Sequence, residues 1–168
     1  HRLFPGVLLA VVLGIVWTVA VGYDGPVVGT VHGGFPAFSL ALPWGINVGD
    51  LDGDGKFDLV TANNFASTVS ILKNTSSGGN ISFATKIDLF SGSKPTHVCI
   101  DDLDGDGKPE IIVTNSETNT VSVFKNTSAG GTISFAAKTD FATGTTPLRV
   151  ASVDFNGDNK PDLAITNS

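Results

Sequence analysis

From about residue 44 onward, the apolar positions of this chain come in short runs separated by Gly, Asn, Ser and Thr. Within residues 96–147 the runs are His97–Asp101, Glu110–Asn115, Thr120–Lys125 and Ile133–Phe141. They are rich in β-branched residues and lack the three-to-four spacing of an amphipathic helix, so each predicts a strand. Val121, Val123 and Lys125 alternate with Ser122, Phe124 and Asn126. Bulky groups on both faces suit a sheet that is covered on both sides. Ser116–Asn119 predicts a tight turn between the second and third strands, and Asn126–Thr132, with Gly130-Gly131, a longer link to the fourth.

The pattern is periodic. Val69-Ser70-Ile71-Leu72-Lys73-Asn74-Thr75-Ser76 returns as Val121-Ser122-Val123-Phe124-Lys125-Asn126-Thr127-Ser128, and Ile81-Ser82-Phe83-Ala84 as Ile133-Ser134-Phe135-Ala136. Pro43, Pro95 and Pro147 share one phase; Asn63, Asn115 and Asn167 share another. Every step is 52 residues, with no gap. A four-stranded unit of about 50 residues has the size of a propeller blade, which must be covered by a neighbour because it cannot bury both faces alone. The expected fold class is all-β, with residues 44–95 as a first blade, 96–147 as a second and 148–168 as part of a third. Two blades and a part cannot close a ring of roughly 4–8 blades. The expectation is therefore an incomplete propeller, finished by further repeats of a parent chain or by other copies.

Residues 1–43 differ. Gly6 to Gly22 reads GVLLAVVLGIVWTVAVG, 17 residues without a charge, between Arg2 and Asp24. This predicts one apolar helix close to the length of about 20 residues needed to span a bilayer, with Trp17 and Tyr23 near an interface. A secretory signal peptide and a buried helix of a soluble domain share the same outline.

The strongest chemical signal lies between the first two strands of each unit. Asp50-Leu51-Asp52-Gly53-Asp54-Gly55-Lys56-Phe57-Asp58 returns as Asp102-Leu103-Asp104-Gly105-Asp106-Gly107-Lys108-Pro109-Glu110, and then as Asp154-Phe155-Asn156-Gly157-Asp158-Asn159-Lys160-Pro161-Asp162. Positions 1, 3 and 5 supply side-chain oxygens: Asp50, Asp52 and Asp54; Asp102, Asp104 and Asp106; Asp154, Asn156 and Asp158. Position 7 (Lys56, Lys108, Lys160) supplies a backbone carbonyl, and position 9 (Asp58, Glu110, Asp162) a closing carboxylate. Glycines at positions 4 and 6 allow the positive φ needed to wrap an ion. Ca²⁺ takes six to eight oxygens and fits this set; Mg²⁺ demands a stricter octahedron, and zinc would want Cys or His. Without a cation, three or four carboxylates a few ångströms apart repel one another. The reading is two strong calcium sites and a third, weaker one, where Asn156 replaces an acid and Asn159 a glycine. An EF-hand would need Glu at position 12, where Thr61 and Val113 stand.

Composition supports this picture. The net charge is −6, and 11 of the 16 acids lie in the three loops, so the acidity is local. Three divalent ions would neutralise the formal charge. No basic face is available for nucleic acid. The single cysteine, Cys99, shares a phase with Asn47 and Ala151 and reads as a small buried group; no internal disulfide is possible. His1, His32 and His97 are scattered and form no catalytic motif, and His97 is expected at the surface. Asn74-Thr75-Ser76, Asn80-Ile81-Ser82 and Asn126-Thr127-Ser128 match the glycosylation pattern, and equally suit plain polar turns.

Loop, strands and period together resemble the FG-GAP/VCBS repeat family, the integrin-α-like β-propellers, over residues 44–168. The carrying motif is Gly49-Asp50-Leu51-Asp52-Gly53-Asp54-Gly55-Lys56-Phe57-Asp58-Leu59 with Asn63 and Val69-Ser70-Ile71-Leu72, and it returns in the later copies. The resemblance implies a calcium-braced propeller, usually outside the cytoplasm. Residues 4–43, with Gly34-Phe35-Pro36-Ala37-Phe38, resemble a segment of the sulfate permease (SulP) transporters, too short to carry a transport path. The expected function is non-catalytic: an extracellular or cell-surface interaction or adhesion module with structural calcium. Its partner would be a protein or carbohydrate ligand, with membrane contact through residues 6–22. The alternatives are a non-catalytic piece of a propeller-bearing lyase or hydrolase, and a fragment of a membrane anion transporter fused to repeats.

Overall fold

The computed structural model describes residues 7–12, 15–20 and 45–168. The chain falls into two units, His1–Phe38 and Ser39–Ser168. In the first, β1 (Val7–Val12) and β2 (Ile15–Ala20) pair antiparallel, with Val7 opposite Ala20 and Val12 opposite Ile15. The apolar helix expected over residues 6–22 is thus replaced by two strands. The physical reason is in the residues: Val7, Val11, Val12, Ile15, Val16, Thr18 and Val19 are β-branched and favour extended backbone over helix. Among the described residues no helix is long and apolar enough to cross a membrane. Gly6, Val21 and Gly22 at the ends of the expected span, and most of the transporter-like stretch 4–43, lie outside the described residues.

The second unit is a succession of antiparallel meanders. β3 (Ile46–Gly49), β4 (Asp58–Asn63), β5 (Thr68–Leu72) and β6 (Ile87–Phe90) form one four-stranded sheet in sequence order. β7 (Pro95–Asp101), β8 (Glu110–Asn115), β9 (Thr120–Phe124) and β10 (Thr139–Ala142) form the second, and β11 (Pro147–Val153) pairs with β12 (Asp162–Asn167). The strands match the sequence pattern except the fourth of each unit, which is shorter than expected. Before β10 the chain from Ile133 makes one isolated bridge, Phe135 to Asn126, and tucks Ile133 into the core.

The sheets pack face to face, with β7 against β3 and β4, and β11 against β7 and β8. One apolar layer joins Val60, Val69 and Ile71 of the first sheet to Val98, Ile111 and Val113 of the second. The opposite face of the second sheet offers Cys99, Ile112 and Val121 to Val150 of β11. Odd and even residues of β8 therefore serve different layers, and all six are buried. Each such Ile or Val contributes roughly 1.5–3 kcal/mol. Cys99 is buried as expected. His97 is not at the surface: it is buried at this second layer, and its Nδ1 accepts the Val150 N–H at 3.5 Å. β-Strand alternation places it inward with Cys99, and burial, with Arg149 nearby, pushes its pKa down.

Polar links register one repeat on the next. Asn115 is fully buried; its Oδ1 accepts the Gly92 N–H at 2.9 Å, and its Nδ2 donates to Ser122 Oγ at 2.8 Å and Thr120 Oγ1 at 3.2 Å. A Cβ on Gly92 would lie 2.6 Å from Asn115 Cγ. Asn126 is also buried, and its amide donates to Pro109 O in its own repeat and to Leu51 O in the preceding one, both at 2.9 Å. The Asn126 amide nitrogen is thus engaged inside the fold, which suits the plain polar turn of the two readings of this sequon. Asn74, its counterpart, is half-buried and donates to Phe57 O, while Asn80 is exposed.

Two substitutions test these links. Gly92→Ala should displace Asn115 and lower stability by about 2–3 kcal/mol, read as a reduced urea midpoint. Gly78→Ala, whose Cβ would meet nothing within 4 Å but whose φ is +58°, should cost only about 1 kcal/mol. Asn126→Ala strands the Leu51 and Pro109 carbonyls and should cost about 2 kcal/mol, clearly more than Asn74→Ala. Equal losses at residues 74 and 126 would show that the bond between repeats is dispensable.

Candidate metal centre

Each acidic loop joins two strands of one hairpin, β3–β4, β7–β8 or β11–β12, and its shape follows from its carboxylates. Asp50 caps the turn: Oδ1 accepts the Gly53 N–H and Oδ2 the Gly55 N–H, both at 2.9 Å. Asp102 repeats this with Gly105 and Gly107 at 2.9 and 2.8 Å, and Asp154 with Gly157 and Asn159 at 2.7 and 2.8 Å. Gly53, Gly55, Gly105, Gly107 and Gly157 all have φ between 75° and 83°, and Asn159 adopts 64°. The expected left-handed positions are present, Asn standing in for Gly in the third loop.

The ninth position closes the loop. Asp58 Oδ2 accepts the Leu51 N–H at 3.0 Å, and Oδ1 accepts the Asn74 N–H at 2.8 Å. Glu110 bonds Leu103 N at 2.9 Å and Asn126 N at 3.2 Å in the same way. Asp162 accepts one such bond, from Phe155 N at 3.1 Å. Burial pushes the Asp58 and Glu110 carboxyls above their usual range, against the pull of these N–H groups.

Positions 1, 3 and 9 converge. Asp50, Asp52 and Asp58 each place a carboxylate oxygen within 4.8 Å of the others, as do Asp102, Asp104 and Glu110. These two clusters could hold a metal ion: the donors are all hard oxygens, and the glycine turns leave room for backbone and water ligands. Asp54 and Asp106 lie outside the two groups; each accepts an N–H two residues on, from Lys56 at 3.0 Å and Lys108 at 2.9 Å. The side chains of Lys56, Lys108 and Lys160 are exposed, Lys56 Nζ lying 3.5 Å from Asp54 Oδ2. In the third loop, Asn156 Oδ1 accepts the Asp158 N–H at 2.8 Å and Asp158 Oδ1 the Lys160 N–H at 2.9 Å. Among the described residues the acids of this loop form no such cluster.

Two functional cations went unread in the sequence. Lys73 binds Asp52 and the Gly131 carbonyl of the next repeat, and lies 3.7 Å from Asp54 Oδ2. Lys125 binds Asp104 and lies 3.6 Å from Asp106 Oδ2. Asp52 and Asp104 raise the pKa of Lys73 and Lys125 respectively, and Lys125 holds Asp104 below its usual range. For Asp54, burial works upward, but the Lys56 N–H and the Lys56 and Lys73 ammonium groups outweigh it, and the net shift is down. The signal was available: Lys73 and Lys125 occupy the same phase of the repeated Lys-Asn-Thr-Ser segment. With Lys56 and Lys73 set against Asp50, Asp52, Asp54 and Asp58, the first loop keeps two formal negative charges, the charge of one divalent cation. The second loop has the same balance. A groove of about 540 Å³ runs between the two loops, lined by Asp50, Asp52, Lys108, Pro109, Ser128 and Gly130.

The FG-GAP-like repeat model matches residues 50–113 and again residues 102–165. Each window runs from one acidic loop through the next and into the strand that follows, and together they cover more than two thirds of the 168 residues. No curated protein and no solved structure matches the chain. The transporter resemblance of residues 4–43 gains no support. The loop motif, its 52-residue spacing, the four-stranded meanders and this doubled match agree, and the chain belongs to the FG-GAP-like repeat family.

Proposed function

We propose that this chain is a calcium-braced, propeller-type interaction module that works outside the cytoplasm or at the cell surface, with calcium in a structural role. The observation that carries the reading is the convergence of three carboxylate oxygens at positions 1, 3 and 9 in two successive repeats. Asp50, Asp52 and Asp58 would hold one Ca²⁺, and Asp102, Asp104 and Glu110 another. Asp54, Asp106 and the Lys56 and Lys108 carbonyls would complete the shells. The third loop, with Asp154, Asn156, Asp158, Lys160 and Asp162, would bind more weakly. Bound calcium supplies positive charge that offsets carboxylate repulsion and stiffens the hairpin loop between the first two strands of each blade. The opposite loops are then free to present a surface to a protein or carbohydrate ligand. The backbone N–H bonds that engage the loop carboxylates favour a structural role for them over acid–base chemistry.

Thermal unfolding tests the calcium role. At a free Ca²⁺ concentration about tenfold above Kd, each occupied site adds roughly 1.4 kcal/mol, or about 3–6 °C in Tm, reversed by a chelator. Asp52→Ala and Asp104→Ala should each remove one site from a calcium titration and leave the other. An unchanged Tm in millimolar Ca²⁺ would sink the proposal.

The pH dependence has a definite sign. Asp58 and Glu110, raised by burial in the fold, contribute stability that is full below their ordinary pKa values, 3.8 and 4.5, and is lost as pH rises through their folded ones. The exposed Asp54 and Asp104 and the half-buried Asp154, all lowered, act in the opposite sense, but more weakly because water screens them. Calcium needs both buried carboxylates ionised. The calcium-induced rise in Tm should therefore grow as pH increases from about 4 toward neutrality. A rise that is constant over this range would remove Asp58 and Glu110 from the ligand set.

A further inference from the structure

The third loop carries the one Asn-Gly pair in the chain, Asn156-Gly157, where the other two loops have Asp52-Gly53 and Asp104-Gly105. Asn156 is exposed, and the residue that follows it has no side chain and open space where a Cβ would lie. Three contacts bear on the Gly157 nitrogen and the Asn156 amide. Asp154 Oδ1 accepts the Gly157 N–H at 2.7 Å. Asn156 Oδ1 accepts the Asp158 N–H at 2.8 Å, and Asn156 Nδ2 lies 3.4 Å from Asp158 Oδ2. A proton acceptor thus faces the potential nucleophile, and a hydrogen-bond donor sits on the oxygen that would become negative.

We propose that Asn156 is a self-modification site, at which deamidation converts the third loop to the acidic form that the first two loops have by sequence. The Gly157 nitrogen gives up its proton, toward Asp154 or solvent, and bonds to Asn156 Cγ. The Cγ–Nδ2 bond breaks as Nδ2 takes up one proton from the acceptor or from solvent, and it leaves as ammonia, closing a five-membered succinimide. Water then opens the ring. Attack at the side-chain carbonyl leaves an aspartyl carboxylate in place of the amide; attack at the backbone carbonyl gives an isoaspartyl link. The net exchange is one water for one ammonia, with no oxidant or reductant. Asp52 and Asp104 resist the same route because an ionised carboxylate is a poor electrophile. The aspartyl product adds one negative charge at loop position 3. Only the consequence for calcium affinity rests on the calcium reading; the conversion itself does not.

The intact chain, incubated at physiological pH and temperature and sampled by peptide mass spectrometry, tests the proposal. The amide-to-acid mass change should accumulate at Asn156 about tenfold faster than at Asn159, whose successor is Lys160, a ratio equivalent to a barrier lower by roughly 1.4 kcal/mol. Asn156→Gln should abolish the change at this position. Conversion no faster at Asn156 than at Asn159 would overturn the site. Separately, calorimetric titration with Ca²⁺ alone should show Asn156→Asp binding about tenfold tighter at the third loop than the unmodified chain. If the mass change occurs but Asn156→Asp binds no tighter, the modification site stands and the calcium reading of the third loop fails.

Discussion

A buried carboxylate at the ninth loop position holds each of the first two repeats together. Asp58 and Glu110 use both oxygens, one for the backbone N–H inside the acidic loop and one for the N–H just after the third strand of the sheet. The loop is thereby fixed to its own sheet at a point buried from solvent. Burial makes the carboxylate costly in spite of these bonds, and acids at positions 1 and 3 stand within 4.8 Å. Protons, ammonium groups or a divalent ion can answer that cost, and the loop chemistry turns on which of them does.

The repeat interface adds a second demand. Neighbouring repeats share an apolar layer, but apolar contact alone does not set which residue meets which. Asn126 does so by donating to one carbonyl on each side of the junction, and Asn115 by accepting from Gly92 in the linker. Lys73 reaches across the same junction to Gly131 while it pairs with Asp52. The first acidic loop is therefore tied into the second repeat, and the Asp52 side chain is fully covered, whereas that of Asp104 is 41% exposed. Motifs of nearly identical sequence thus sit in different dielectric settings because of what lies next to them.

Much of this was legible from residues alone. The 52-residue period, the β-branched runs and the Asp/Gly loop placed the sheets, the hairpin loops and the left-handed backbone positions, because each depends on local geometry and steric rules. What escaped depends on tertiary neighbours. Lys73 and Lys125 look like ordinary polar strand-end residues until the fold returns them to the loop some 21 residues earlier. His97 reads as surface by type, yet strand alternation and the next repeat bury it. Asn126 fits a glycosylation pattern, and only the docking of the preceding loop reveals its amide as an internal bridge. The stretch 6–22 departs from expectation for a different reason: its hydrophobicity suits a membrane helix, but seven β-branched residues in the two strands favour extended backbone.

The three loops form a series in which the motif is held nearly constant and the setting changes. In the first, a covered Asp52 and a cross-repeat lysine make charge compensation most demanding. In the second, the same cage is open to solvent on one side and Lys125 satisfies Asp104 within a single repeat. In the third, Asn156 removes one charge, Asp162 makes one closing bond, and no group of three acids forms. If cation affinity followed sequence alone, the first two loops would be equal. The geometry instead ties the first loop's occupancy to the junction, since any ion that loosens Lys73 from Asp52 also bears on its hold on Gly131. Among the described residues Lys125 makes no bond of this kind to another repeat. Through Lys73 the acidic loop and the repeat interface belong to one physical system.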